Sequence, residues 1–99
     1  MTKIEKKIEK WKGVKQPVPK DEVIAVVKRY FPDSYEYKSG SHIVVRHPKL
    51  KGIDGFGSRG EFVIAIKGGQ KVKPVYLKTL IEAIEYLEEL NASLKGGKE

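Results

Sequence analysis

The sequence predicts an α+β fold in which a three-stranded antiparallel sheet carries helices on one face, in the order α-α-β-β-β-α. Two observations predict this class. Apolar residues recur at helical spacing near both ends of the chain, and short stretches of alternating apolar and polar residues lie between them. With 99 residues the chain has room for one modest hydrophobic core, so we expect a single domain over residues 1–99.

An accessory helix is expected within residues 1–12. Thr2 and Glu5 have the T-x-x-E spacing of a capping box, which satisfies free backbone N–H groups at a helix start. Three apolar residues then fall on one stripe of the helix: Ile4, Ile8 and Trp11. This stripe is expected to pack on the rest of the domain.

A second helix is expected to begin at Pro19 and to end at Pro32. Acidic residues in its first turn, Asp21 and Glu22, favour the positive end of the helix dipole. Its buried face is expected to hold Val23, Ile24, Val27, Tyr30 and Phe31. The preceding segment, residues 13–19, contains two prolines and predicts a connector.

Three strands are expected next, at Tyr35–Lys38, His42–His47 and Glu61–Lys67. Ser39-Gly40-Ser41 between the first two predicts the tight turn of a hairpin. Thirteen residues, 48–60, connect the second strand to the third. A connection of that length is unusual in a compact domain, so we expect this loop to be either functional or mobile.

A long last helix is expected to begin at Pro74 and to run to about Leu90. One face carries Leu77, Leu80, Ile81, Ile84 and Leu87. Residues 91–99, which include two adjacent glycines, are expected to fray. Residues 20–90 then form the core of the domain.

Composition excludes several classes of protein. The chain has no cysteine, so disulfide frameworks and thiolate sites are absent. The longest apolar run, Phe62–Ile66, is far shorter than a membrane span, and the N-terminus alternates Lys, Glu and Ile; we therefore expect a cytoplasmic protein without a membrane partner. Abundant Lys and Glu with only three Asn and Gln is typical of a thermophile. The Gly68-Gly69 pair and the G-x-G at Gly55–Gly57 both lack a strand–helix context, so we expect no nucleotide cofactor.

The net charge of +7 lies in the middle of the chain. Residues 38–78 contain nine Lys and Arg against two acidic residues, whereas residues 79–99 are rich in Glu. Such a basic centre favours a polyanionic partner, with nucleic acid first. The alternative is an ordinary solvated surface rich in lysine.

The segment before the last helix is a candidate phosphate site. Lys71 and Lys73 precede Pro74 with no acidic residue nearby, although helix N-termini prefer negative charge. A bound phosphate would be stabilised by the helix dipole, the free N–H groups and both lysines. The alternative is that these lysines extend into water.

His42 is the candidate acid–base residue, because it follows a Gly-Ser turn at the start of the middle strand. Its imidazole could exchange a proton with an RNA 2′-hydroxyl. His47 is a poor partner, because an odd separation of five puts the two rings on opposite faces of a continuous strand. The proton for the leaving group would come from Lys38, Tyr37 or water. An isolated histidine is more often an ordinary surface residue.

The chain resembles the HicA (YcfA-like) toxins in two motifs. The first is Gly40-Ser41-His42-Ile43-Val44-Val45-Arg46-His47-Pro48, and the second is Gly68-Gly69-Gln70-Lys71-Val72-Lys73-Pro74-Val75-Tyr76-Leu77. The resemblance covers residues 20–85 and implies a double-stranded-RNA-binding-domain-like (dsRBD-like) fold, mRNA cleavage with His42 as catalytic residue, and a HicB antitoxin as partner. The accessory helix, the loop 48–60 and Ile43, where many relatives carry a second histidine, depart from the family.

The leading hypothesis is a metal-independent endoribonuclease of a toxin–antitoxin pair that cleaves mRNA with His42 as general base. Its RNA-binding residues would be Lys38, Ser41, Arg46, Lys67, Lys71 and Lys73. Two alternatives remain open: a non-catalytic RNA-binding module on the same fold, and a protein-interaction domain that docks a partner on its sheet or N-terminal helix.

Overall fold

The computed structural model describes residues 2–38, 41–68 and 70–96. Its elements are, in chain order, α1 Lys3–Lys12, β1 Val18–Pro19, α2 Lys20–Tyr30, β2 Tyr35–Lys38, β3 His42–Arg46, a 3₁₀ helix Pro48–Leu50, β4 Glu61–Lys67, β5 Lys71–Val72 and α3 Pro74–Gly96. The α+β class is confirmed. The predicted turn residues Ser39 and Gly40 lie outside the described residues.

The strand count expected from the sequence is wrong. The described residues form a five-stranded antiparallel sheet in the order β1-β5-β4-β3-β2. The short strand β1 lies at one edge and β2 at the other. Strands β1 and β5 have two residues each, and they pair through Val18 with Val72 and through Pro19 with Lys71. The Lys20 N–H also donates to the Gln70 carbonyl at 2.9 Å. The predicted connector 13–19 therefore contains an edge strand.

Alternation along the central strands divides the sheet into two faces. The inner side chains of β3 and β4 are all buried: Ile43, Val45, Phe62, Ile64 and Ile66. They belong to one apolar cluster with the buried residues of the three helices. Because cross-strand partners point to the same side, the register places the following residues on the other side: Glu36, Lys38, His42, Val44, Arg46, Glu61, Val63, Ala65, Lys67 and Lys71. None of these is buried, and we call this side the helix-free face.

The accessory helix α1 forms as predicted and packs on α3. Its capping box is present, with the Glu5 N–H donating to Thr2 Oγ1 at 3.1 Å and the Thr2 N–H donating to Glu5 Oε1 at 2.8 Å. Ile8 and Trp11 are buried in the common core, and Lys12 forms an ion pair with Glu85 of α3 at 2.7 Å. The helix thus adds apolar surface to the core.

The last helix is longer than expected. It remains helical to Gly96, so the segment predicted to fray from residue 91 continues the helix for six more residues. Residues 97–99 lie outside the described part of the chain. Within that part, no helix combines the length and the apolar character that a membrane crossing needs.

The connection between β3 and β4 is fixed to the core at two points. Leu50 is fully buried at the end of the 3₁₀ helix, and the buried Phe56 packs edge-on against Phe62 with ring centroids 5.6 Å apart. Ile53 and Gly57 form an antiparallel bridge between these anchors. This burial argues against a mobile loop, the second of the two alternatives raised by its length.

Gly60 closes this connection by a backbone approach that no other residue can make. It has φ +66°, and a Cβ there would lie 2.5 Å from the His47 carbonyl oxygen and 2.7 Å from the Lys51 nitrogen. The Gly60 carbonyl also accepts from the His47 N–H at 2.9 Å. The neighbouring atoms are backbone, so they cannot turn aside as a flexible side chain would.

Gly60→Ala is expected to destabilise the protein by about 3 kcal/mol, because it combines a left-handed conformation with a backbone clash. Gly52→Ala is the matched control: Gly52 has φ +76° but open space around the Cβ position, so about 1 kcal/mol is expected. Urea unfolding of the two variants measures the difference. Equal losses would show that the close approach at Gly60 contributes nothing.

Candidate nucleic-acid interface

Four of the residues predicted from the sequence meet at one end of the helix-free face. Lys38 lies directly opposite His42, and Lys67 lies directly opposite Lys71. His42 faces Ala65, two positions before Lys67 on β4, so the two pairs are diagonal neighbours. Directly opposed side chains in antiparallel strands have Cβ atoms about 5 Å apart. We call Lys38, His42, Lys67 and Lys71 the basic end.

The imidazole of His42 is exposed and is oriented by the preceding residue. Its Nδ1 lies 3.0 Å from Ser41 Oγ. Ser41 is itself held by its backbone, because its carbonyl accepts from the Ile66 N–H of the neighbouring strand at 2.8 Å. In the tautomer that has its proton on Nδ1, the Nδ1–H donates a hydrogen bond to the Ser41 hydroxyl, and Nε2 carries the free lone pair that a general base needs. Besides its predicted role in RNA binding, Ser41 is placed to orient the His42 ring.

The register places Lys38 and Tyr37, the two side chains considered as proton donors to the leaving group, on opposite faces of the sheet. Lys38 shares the helix-free face with His42, whereas Tyr37 pairs with Ile43 and lies on the inner side of the sheet. Lys38 is 3.7 Å from Glu36, with both side chains more than half exposed. An exposed pair of this kind contributes at most about 1 kcal/mol, so the Lys38 ammonium can exchange Glu36 for another anion.

Arg46 lies on the same face but at its opposite end. Four residues along β3 separate it from His42, a distance of about 13 Å. Its guanidinium is already partnered, with Nη2 2.7 Å and Nε 2.9 Å from Glu61 Oε2. Arg46 therefore lies on the same face as His42, as predicted, but it is too far away to belong to the basic end.

The predicted phosphate site before the last helix divides into two parts. Lys71 belongs to β5, and its register with Lys67 turns its side chain to the helix-free face, away from the layer that contains α3. Lys73 directly precedes α3, and its carbonyl accepts from the Tyr76 N–H at 3.0 Å. The first turn of α3 contains no acidic residue, as expected. Lys73 alone therefore adjoins the helix N-terminus.

His47 has a structural role and does not approach His42. It follows the end of β3, where its Nδ1 accepts from the Lys49 N–H at 3.1 Å and caps the 3₁₀ helix. Its ring packs edge-on against Phe31, with centroids 6.1 Å apart. Burial, and then the charge of Lys49, lower the pKa of His47 below its ordinary value. His47 thus packs on the core side of the sheet while His42 is on the helix-free face, which is the separation expected for two rings that make a poor catalytic pair.

Comparison with known proteins adds no family to this geometry. No protein-family model, curated protein or solved structure matches the chain. The likeness to the HicA toxins thus depends on the two sequence motifs alone. Across residues 2–38, 41–68 and 70–96, no group of three or more His, Asp and Glu side chains is placed to hold a metal ion.

Acidification is expected to destabilise the fold through His47. Because its pKa is lowered in the folded state, the unfolded chain binds the proton more readily, and stability falls as the pH drops below the ordinary value of 6.5. His47→Asn retains a side-chain cap without a titrating group, so it should lose part of this pH dependence. Unfolding midpoints measured between about pH 8 and pH 5 test this, with His42→Gln as the control histidine. An unchanged pH dependence in His47→Asn would contradict the assignment.

Proposed function

We propose that this protein is an RNA-binding endoribonuclease, similar to the HicA toxins and built on a dsRBD-like framework, that binds RNA on its helix-free face. The observation that carries the proposal is the basic end, where the exposed His42 lies opposite one lysine and diagonal to a second, which is itself opposite a third. Phosphate contacts of this kind attract and position a nucleic acid without reading its sequence. An mRNA is the substrate that the family resemblance implies.

The proposed reaction is transfer of the phosphoryl group to the neighbouring ribose oxygen. His42 Nε2 takes the proton of a 2′-hydroxyl, and the oxygen attacks the adjacent phosphorus. The bond from phosphorus to the 5′ oxygen breaks, leaving a 2′,3′-cyclic phosphate and a 5′-hydroxyl. The 5′ oxygen receives its proton from the Lys38 ammonium or from water. Lys67 and Lys71 would offset the charge that develops on the phosphoryl oxygens.

The same face has features that suit a protein antitoxin. Val63, 43% exposed, lies at its centre, flanked by cations at the basic end. An exposed apolar residue among cations fits a partner that offers an apolar contact with acidic residues around it. In the proposed function this partner is a HicB-like antitoxin, and its binding would block RNA from the basic end.

His42→Ala is expected to lower the rate of mRNA cleavage by about 10²–10⁴-fold, the usual contribution of a general base. Ser41→Ala should cause a smaller loss, since it removes only the partner of Nδ1. His47→Asn is the matched control and should cleave like the wild type. Gel analysis of purified protein with mRNA measures all three, and far-ultraviolet circular dichroism checks that each variant is folded.

Each outcome of this assay decides between the hypotheses. Equal cleavage by His42→Ala and the wild type would remove His42 from the mechanism. Salt-sensitive binding without cleavage by the wild type would identify a non-catalytic RNA-binding module. Absence of both binding and cleavage would leave the protein-interaction domain.

A further inference from the structure

A second group of cations lies at the end of the helix-free face remote from His42. Arg46, Lys51, Ser58 and Arg59 line an open cleft of about 340 Å³. Three cations and the one carboxylate paired with Arg46, that of Glu61, leave this cleft with a net charge of +2. None of these side chains is buried, so each is accessible to a ligand.

The backbone brings Lys51 and Arg59 together although they are eight positions apart in the chain. Lys51 follows the buried anchor Leu50, and Arg59 precedes Gly60. The Cβ position of Gly60 is 2.7 Å from the Lys51 nitrogen, which places the two segments in contact. Since the buried Leu50 and Phe56 anchor these segments, the backbone positions of both cations are defined, and a ligand has only the two exposed side chains to order.

We propose that this cleft is a second phosphate-binding site, which takes the sugar–phosphate backbone of the same RNA that occupies the basic end. The inference rests on the proposed function. It extends the RNA-binding surface from the basic end to the cleft, so that one strand would contact both ends of the helix-free face. Arg59 offers planar, fork-shaped donors that match phosphate oxygens, while Lys51 adds a point charge and Ser58 a hydroxyl donor. Arg46 remains partnered with Glu61, so the free positive charge belongs to Lys51 and Arg59.

The neighbouring surface explains why the phosphate belongs in the smaller cleft. A larger depression of about 510 Å³ adjoins it and shares Arg46 and Lys51. That depression is also lined by Asp33 and Glu36, whose carboxylates repel a phosphate. Ser58 and Arg59 line only the smaller cleft, so an anion is favoured there.

The separation of the two sites sets the length of RNA that can use both. The edge of the cleft formed by Arg46 has its backbone about 13 Å from that of His42, four residues along β3. At about 3.4 Å of rise per stacked nucleotide, that distance corresponds to about four nucleotides. A short RNA would occupy one site only, whereas a longer strand would reach from His42 to Arg59.

The test compares two charge-reducing double variants in the non-cleaving His42→Ala background. Lys51→Gln with Arg59→Gln removes the proposed site, and Lys10→Gln with Lys28→Gln removes the same charge from the helical side. Fluorescence anisotropy with single-stranded RNAs of about two and about ten nucleotides measures affinity at several salt concentrations. The first pair should weaken binding of the long RNA about tenfold and reduce the slope of log affinity against log salt by about 1.4. It should leave the short RNA unaffected, and the control pair should change neither.

A third double variant, Lys67→Gln with Lys71→Gln, separates failure of this inference from failure of the proposed function. Loss of affinity in this variant with none in Lys51→Gln, Arg59→Gln would overturn the second site and leave the basic end in place. No RNA binding by the starting protein would overturn both. Equal weakening of short and long RNA by Lys51→Gln, Arg59→Gln would contradict the proposal that only a longer strand bridges the two sites, because both lengths would then use the cleft.

Discussion

The register between β3 and β4 is the constraint on which the rest of the structure depends. Ile43 pairs with Ile64 and Val45 with Phe62, and all four are buried under the helices. Because side chains alternate along a strand, burying these residues forces His42 to the opposite face. A slip of one residue in β3 would bury the His42 and Arg46 side chains and expose Ile43 and Val45, at about 1.5–3 kcal/mol for each exposed apolar side chain. That loss is a large part of the roughly 5–15 kcal/mol by which folded domains are stable. The position of the candidate site is thus a consequence of core packing.

The long connection after β3, residues 48–60, forms an ordered surface beside the Arg46 end of the helix-free face. Leu50 and Phe56 bury their side chains in the same core as the sheet, and Gly60 lets the two ends of the connection touch. The segment that departs from the HicA pattern therefore adds structure next to the site. It supplies Lys51 and Arg59 from neighbouring backbone segments, so the helix-free face carries cations at both ends with Val44, Val63 and Ala65 between them.

The sequence predicted those features that repeat over several residues. Helical spacing located the three helices, the Ser-Gly-Ser turn located the hairpin of β2 and β3, and alternation located β4. The odd separation of His42 and His47 predicted that their rings lie on opposite faces. Strands β1 and β5 were missed because each has only two residues, too few to show an alternating pattern of apolar and polar side chains. Their pairing depends on tertiary contact. The helical continuation to Gly96 was missed because the glycines near the end have low helix propensity. The shared cleft of Lys51 and Arg59 was also missed, since it depends on the backbone approach between Gly60 and Lys51.

Methyl resonances test most directly whether RNA binds the helix-free face. Val44, Val63 and Ala65 place methyl groups there, while Val75, 62% exposed at the start of α3, is a solvent-exposed reference outside that face. We expect titration of the methyl-labelled His42→Ala protein with single-stranded RNA to shift the resonances of Val44, Val63 and Ala65 and to leave that of Val75 in place. Shifts at Val75 with none at the other three would contradict the account, because RNA would then bind elsewhere.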